Sequence, residues 1–346
     1  MTRGPGNSLS RVAADGQRGP IPVRGSFDRP ARASFRLLQA PSSGDGHSTG
    51  RTTEALDLVR LRPLMDRTSG RPNVTIGLID GPVLRDHPEL DVERVREIPR
   101  AGSGACTRAD SMACLHGTFV AGILSARRGS AAPAICPGCT LLVRPIFAET
   151  NAANGEMPST TPEELARALL DCIEAGAGLL NVSASLVQPS IRRERVLEDA
   201  LDEAARRGVI VIAAAGNEGT LGGTAITRHP WVLPVAAYDL RGRPTGLSNL
   251  GNSIGVRGVG APGDGITSLG AEGEPLTLGG TSAAAPFVTG AAALLKSEFP
   301  NASAADLRLA IARPSSGRRS TVVPPLLDAW MSYRSLLTTD ARSRAF

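Results

Sequence analysis

The chain has 346 residues, 41% hydrophobic and 21% charged, a soluble globular composition with enough apolar material for one large core. Its formal charge of +5 resides in residues 1–53, where eight arginines face three aspartates; the other 293 residues carry 30 basic and 30 acidic groups. A neutral body argues against nucleic acid or a membrane surface as the partner.

Residues 1–53 are rich in Gly, Pro, Ser and Arg without apolar periodicity, and they predict a disordered tail. They contain no apolar run of about 7–15 residues such as a secretory signal needs. No stretch of about 20 apolar residues follows that could span a bilayer, so the expectation is a cytoplasmic protein. Residues 54–335 read as one domain and 336–346 as a C-terminal tail. Within the domain, strand candidates fall at 73–79 (NVTIGLI), 140–147 (TLLVRPIF), 178–183 (GLLNVS), 209–215 (VIVIAAA) and 231–237 (WVLPVAA). Two punctuated amphipathic helices separate them. TPEELARALLDCIEAG has a threonine N-cap, a proline at the first helical position and an acidic first turn, and RRERVLEDALDEAARRG closes on basic residues and Gly208. This alternation predicts an α/β fold in three layers, a mostly parallel twisted sheet with helices on both faces.

Five cysteines, an odd number, argue against a fully paired secreted scaffold. Cys106, Cys114, Cys136 and Cys139 lie close in sequence, the last two as CPGC, and Cys172 stands apart on a predicted helix. Their spacing accommodates a four-cysteine zinc site, local disulfides or plain thiols.

Parallel α/β sheets place ligands at the carboxyl ends of their strands. NVTIGLI runs directly into Asp80, and VIVIAAA into Gly216 and Asn217. His47 lies in the tail, and His87 and His229 each precede a proline, which biases them toward extended loops. His116 instead opens HGTFVAGILSA, a small-residue helical run. In LGGTSAAAPFVTGAAALL, glycines and alanines crowd around Ser282 at the start of another. Taken singly, each of these residues has a plain structural reading as a turn, a packed core group or a close helix contact. Together they supply what acyl transfer by serine requires: a hydroxyl, an imidazole to take its proton, a carboxylate to orient the imidazole and an amide donor for the oxyanion.

The blocks VTIGLIDG, HGTFVAGIL, AAAGNEG and GGTSAAAPFVTGAAALL resemble the signature segments of the subtilisin-like serine proteases, the subtilases, and the order Asp, His, Ser is that family's. DHPEL, GLLNVSAS, LSNLG and VGAPGDGI are weaker echoes, and the similarity runs over about residues 55–315. The resemblance implies a subtilisin-like fold with Asp80, His116 and Ser282 as catalytic residues. It implies an oxyanion hole from the Asn217 amide and the Ser282 backbone N–H, and a substrate-binding strand through Ser183, Ala184 and Ser185. It implies no required cofactor. The calcium sites frequent in the family do not carry over, because the sequence has no acidic cluster resembling a calcium loop.

Two departures stand out. Asp80 is followed by Gly81 and Pro82 where the family usually has a small hydroxyl residue and then glycine, so the surroundings of the carboxylate must differ. Ser185 replaces a usual glycine and narrows the expected specificity pocket. DGPV followed by HP, a cysteine-containing stretch before PIF, and PPLLDAWMSY are similar to cyanobactin-type peptide-maturation proteases. Some members of that group macrocyclise and carry a helical cap between the aspartate and the histidine. The 36-residue interval from Asp80 to His116 leaves no room for one and favours hydrolysis. The expected function is therefore a serine endopeptidase that removes a leader from a ribosomally made precursor peptide. The alternatives are a broad degradative subtilase and an inactive, peptide-binding subtilase fold.

Overall fold

The computed structural model describes residues 1, 48–98, 105–149, 160–184, 194–312 and 321–343. Seven strands form one parallel sheet: β1 (Thr75–Asp80), β2 (Val95–Glu97), β3 (Thr140–Pro145), β4 (Leu179–Val182), β5 (Ile210–Ala214), β6 (Leu233–Tyr238) and β7 (Val259–Pro262). Their spatial order is β2-β3-β1-β4-β5-β6-β7. A small antiparallel pair, β8 (Ile266–Ser268) with β9 (Leu276–Leu278), stands beside it. β1 and β4–β7 are buried along nearly their whole length because both faces of the sheet are covered there.

The helices are α1 (Ser48–Leu58), α2 (Arg62–Met65), α3 (Met112–Ser125), α4 (Pro162–Glu174), α5 (Arg195–Arg206), α6 (Ala225–Arg228), α7 (Asn252–Arg257), α8 (Thr281–Glu298), α9 (Ala304–Ala312) and α10 (Ala329–Ser343). On one face Leu165, Leu169, Leu197 and Leu201 of α4 and α5 pack against Leu180, Val182 and Val211. On the other, α3, α8, α9 and α10 share a larger core with Ile76, Leu78, Leu179 and Ile212. The three-layer α/β architecture and all five predicted strands are present, within two residues at either end.

The chain runs from β1 to β2 and β3 on one side and then returns to place β4 on the other. The strand order thus reverses at β1, and the carboxyl end of β1 is the crevice where such sheets hold their ligands. Asp80, paired in register with Pro145, is the last residue of that strand.

Two expected boundaries change, and the cysteine state is defined. The boundary at residue 53 falls inside α1, whose Ala55 is buried and whose Arg51 donates to the carbonyl of Gly265. Residues 2–47 of the predicted tail lie outside the described residues. The boundary at residue 335 cuts α10, in which Tyr333 and Leu336, three apart on one helix face, are both buried. Of the three readings open for the cysteines, two occur together, a local Cys106–Cys114 disulfide and free, buried thiols at Cys136, Cys139 and Cys172. The CPGC turn is fixed at the far end of α3, with Cys136 N–H donating to the Leu124 carbonyl. Burial pushes the Cys172 thiol up to about 12, so it packs as an inert apolar group. No helix among the described residues is long and apolar enough to cross a membrane.

Arg144 is the exception in an otherwise apolar strand. Fully buried, it donates from Nε to Asp171 Oδ2 at 2.7 Å, reaches Glu164 Oε1 at 3.1 Å, and thereby ties α4 to β3. The expected effect of Arg144→Met is a loss of about 2–4 kcal/mol, since both carboxylates lose their counter-charge. Urea denaturation measures it, and an unchanged midpoint would contradict this role.

Candidate active site

Three side chains from three elements converge at the carboxyl end of β1. His116 Nδ1 lies 2.7 Å from Asp80 Oδ1, and His116 Nε2 lies 3.0 Å from Ser282 Oγ. All three residues are buried. With the carboxylate as acceptor, the neutral ring must carry its hydrogen on Nδ1, which leaves the Nε2 lone pair to accept from the serine hydroxyl. An imidazole held in this way can take a proton from Ser282 and return it.

The imidazole arrives on α3, which begins earlier than the HGT block suggests. Ser111 caps the helix by accepting from Cys114 N–H, and His116 is the fifth helical residue. Two glycines let α3 meet the end of β1 backbone to backbone. A Cβ on Gly81 would collide with the Ala113 carbonyl, and one on Gly117 would press on the carbonyl oxygens of Pro82 and Gly81. Glycine at position 81 also leaves only a backbone N–H to serve the carboxylate. It donates to Asp80 Oδ1 at 2.6 Å, and Oδ2 has no hydrogen-bond partner among the described residues. Ahead of α3, the disulfide and the Glu149 carboxylate pin residues 106–111. Glu149 accepts from the Thr107 and Arg108 N–H groups, each at 3.0 Å.

Ser282 is the second residue of α8. Its N–H belongs to the first turn, where no helical acceptor exists, and Pro286, four residues on, has no N–H to return to the Ser282 carbonyl. Gly280, at φ +111°, turns the chain into the helix within contact of Asn217. Asn217 is buried, and its Oδ1 accepts from the Thr281 N–H at 2.8 Å and the Thr281 hydroxyl at 3.0 Å. That fixes the amide with Nδ2 turned away from Thr281. The Thr281 hydroxyl in turn accepts from Gly216 N–H at 3.1 Å.

Sequence reasoning gives Thr281 only a place in the turn, although a hydroxyl beside the key serine is the available signal. It also passes over Asn249, in the LSNLG echo. Asn249 Oδ1 accepts from Glu218 N–H and Thr220 N–H, at 3.1 and 3.0 Å, and shapes the loop that carries Asn217. Ser183 and Ala184 lie just past β4 beside β1, with Ser183 N–H donating to the Ile79 carbonyl at 3.3 Å. Ser185 lies outside the described residues. The remaining described histidines serve their own loops: His87 Nδ1 accepts from Glu89 N–H, and His229 contacts Asp202 and Trp231. One grouping of potential metal donors occurs among the described residues, Cys106, Cys114 and Glu149, but its sulfurs are bonded to each other.

The subtilase family model matches residues 71–325, and the chain belongs to that family, which makes it a serine endopeptidase. Subtilisin DY of Bacillus licheniformis is 27% identical over 277 residues, which is 79% of this chain and 91% of that one. Among solved structures, a mutant form of the protease domain of PatA is similar at 29% identity with a TM-score of 0.71, covering 78% of this chain and 98% of that one. The prenylagaramide maturation protease PagA is similar at 27% identity and 0.68, covering 80% and 98%.

A side chain at Gly81 must push α3 away from β1. Misplacement of reacting groups by an ångström costs on the order of 100-fold, so Gly81→Ala is expected to lower kcat/KM on a peptide substrate by at least about that factor. Wild-type turnover in a folded Gly81→Ala protein would contradict the argument.

Proposed function

We propose that this chain is a processing peptidase that works through Asp80, His116 and Ser282. The observation that carries the reading is the single imidazole within 2.7 Å of a buried carboxylate and 3.0 Å of a serine hydroxyl. In the first step Ser282 Oγ attacks the scissile carbonyl carbon while His116 Nε2 takes the hydroxyl proton. Asp80 holds Nδ1–H and stabilises the imidazolium. The carbonyl oxygen becomes an oxyanion facing two donors, the Ser282 N–H and the Asn217 Nδ2, at the positive end of the α8 dipole. His116 then passes its proton to the leaving amine, and the peptide bond breaks to leave an acyl-enzyme. Water repeats the sequence, giving its proton to Nε2 as it attacks, and Ser282 recovers its hydrogen as the acid departs.

The substrate is an extended peptide lying along Ser183, Ala184 and Ser185 and held largely by main-chain hydrogen bonds. Leader removal from a ribosomal precursor is the finer reading. It is supported by the likeness to PagA, a maturation protease by name, and by the DGPV and PPLLDAWMSY motifs. The short interval between Asp80 and His116 favours hydrolysis as the outcome. A cytoplasmic setting suits such a precursor, and no cofactor enters any step.

A fluorophosphonate probe is expected to label the wild type and not Ser282→Ala; an unlabelled, folded wild type would sink the catalytic reading and favour a peptide-binding fold. Digestion of a diverse peptide library, read by mass spectrometry, is expected to give cuts confined to a narrow sequence context. Cuts scattered over many residue types would point to a degradative enzyme instead. Thr281→Val, which removes one of the two bonds that hold the Asn217 amide and leaves the Gly216 N–H without its acceptor, is expected to lower kcat about tenfold with little change in KM. Steady-state kinetics on a fixed peptide separates the two constants.

A further inference from the structure

Strand β4 carries a polar residue where its neighbours are apolar. Leu180 and Val182 face α4 and α5, whereas Leu179 belongs to the core on the opposite face, where α8 runs. Strand alternation therefore puts Asn181 and Ser183 toward α8. Asn181 is fully buried, and a buried primary amide is costly unless both its ends are satisfied. Among the described residues each end has one partner. Asn181 Oδ1 accepts from the Thr289 hydroxyl at 2.8 Å, and Asn181 Nδ2 donates to Ser183 Oγ at 2.7 Å.

Thr289 lies on α8, seven residues and about 10 Å beyond Ser282. Its hydroxyl also approaches the Ala285 carbonyl, one turn back, at 3.1 Å. A relay of hydrogen bonds thus runs from the helix that bears Ser282, along the α8-facing side of β4, to the first residue of the segment proposed to hold substrate. Apolar side chains could fill the same volume but would tolerate sliding between helix and strand. Two short directional bonds do not.

The geometry points to Thr289 and Asn181 as positioning residues that set the height of the substrate strand relative to the Ser282 hydroxyl. This rests on the proposed roles of Ser282 and of residues 183–185. Neither residue touches the reacting atoms, and their effect passes through Ser183.

The test compares two readouts on Thr289→Val, which keeps the shape and removes the hydroxyl. Hydrolysis of an extended fluorogenic peptide needs the strand, whereas labelling by a small fluorophosphonate needs only the serine and its activating groups. The expected result is a fall in kcat/KM on the peptide about tenfold larger than any fall in labelling rate, the scale of one lost hydrogen bond. Thr289→Ser, which retains the donor, is expected to recover most of the loss. If Thr289→Val does not fold, Asn181→Leu combined with Thr289→Val leaves no orphaned amide and carries the same comparison. Equal loss in both readouts, no loss in either, or failure of the serine variant to rescue would overturn the proposal. A wild type that does not label, or a Ser282→Ala variant that still cleaves, would instead overturn the reading beneath it.

Discussion

The site depends on a backbone-to-backbone contact between the end of β1 and the first turns of α3. Because Gly81 and Gly117 carry no side chains, the Ala113 carbonyl can lie where a Cβ would stand, and the Pro82 and Gly81 carbonyls can approach the helix. This approach delivers His116 from a helix onto a carboxylate at a strand end without any flexible connection. The same device recurs at Ser282. Gly280 takes a positive φ that bends the chain into α8, and its missing side chain leaves room for the Asn217 amide. Two helices are thus brought to one sheet edge at positions where only glycine fits.

Burying Asp80, His116, Ser282 and Asn217 together is costly, and the surrounding apolar structure must offset that cost. All of α8 except Lys296 and Glu298 is buried, so the helix bearing Ser282 is the central rod of the larger core. Packing of this kind resists small displacements because interiors are close-packed. A hydroxyl held 3.0 Å from an imidazole nitrogen needs that rigidity. Closer to the site, Thr281 holds Asn217, and Asn249 holds the loop behind it, so the Asn217 amide is fixed by two further polar side chains.

Much of this is legible in the sequence, for physical reasons that also explain the omissions. The central strands stand out because burial on both faces gives continuous apolar runs, and Asp80 and Asn217 stand out because each interrupts such a run at its carboxyl end. β2, VRE, is too short and too charged to register as a strand, and β7, VGAP, contains a glycine and ends in a proline. The start of α3 is hard to place because Ser111 lies ahead of the motif that draws attention. Cysteine pairing cannot be read at all, since spacing does not encode which sulfurs meet. Asn181 and Thr289, 108 positions apart, give no local sign that they bond to each other.

One helix connects all of these elements. The first residue of α8 orients Asn217, its second places a hydroxyl against the His116 imidazole, and its ninth reaches β4 through Asn181. A change in any of these shifts the others, because they share a rigid element buried along nearly its whole length. The chemistry of peptide hydrolysis is therefore bound to the core of this fold and has little freedom to vary without loss of the whole. Choice of substrate is under no such constraint. A fold that fixes its reaction so deeply leaves specificity to its rim, which is how degradative and processing enzymes can share the same core.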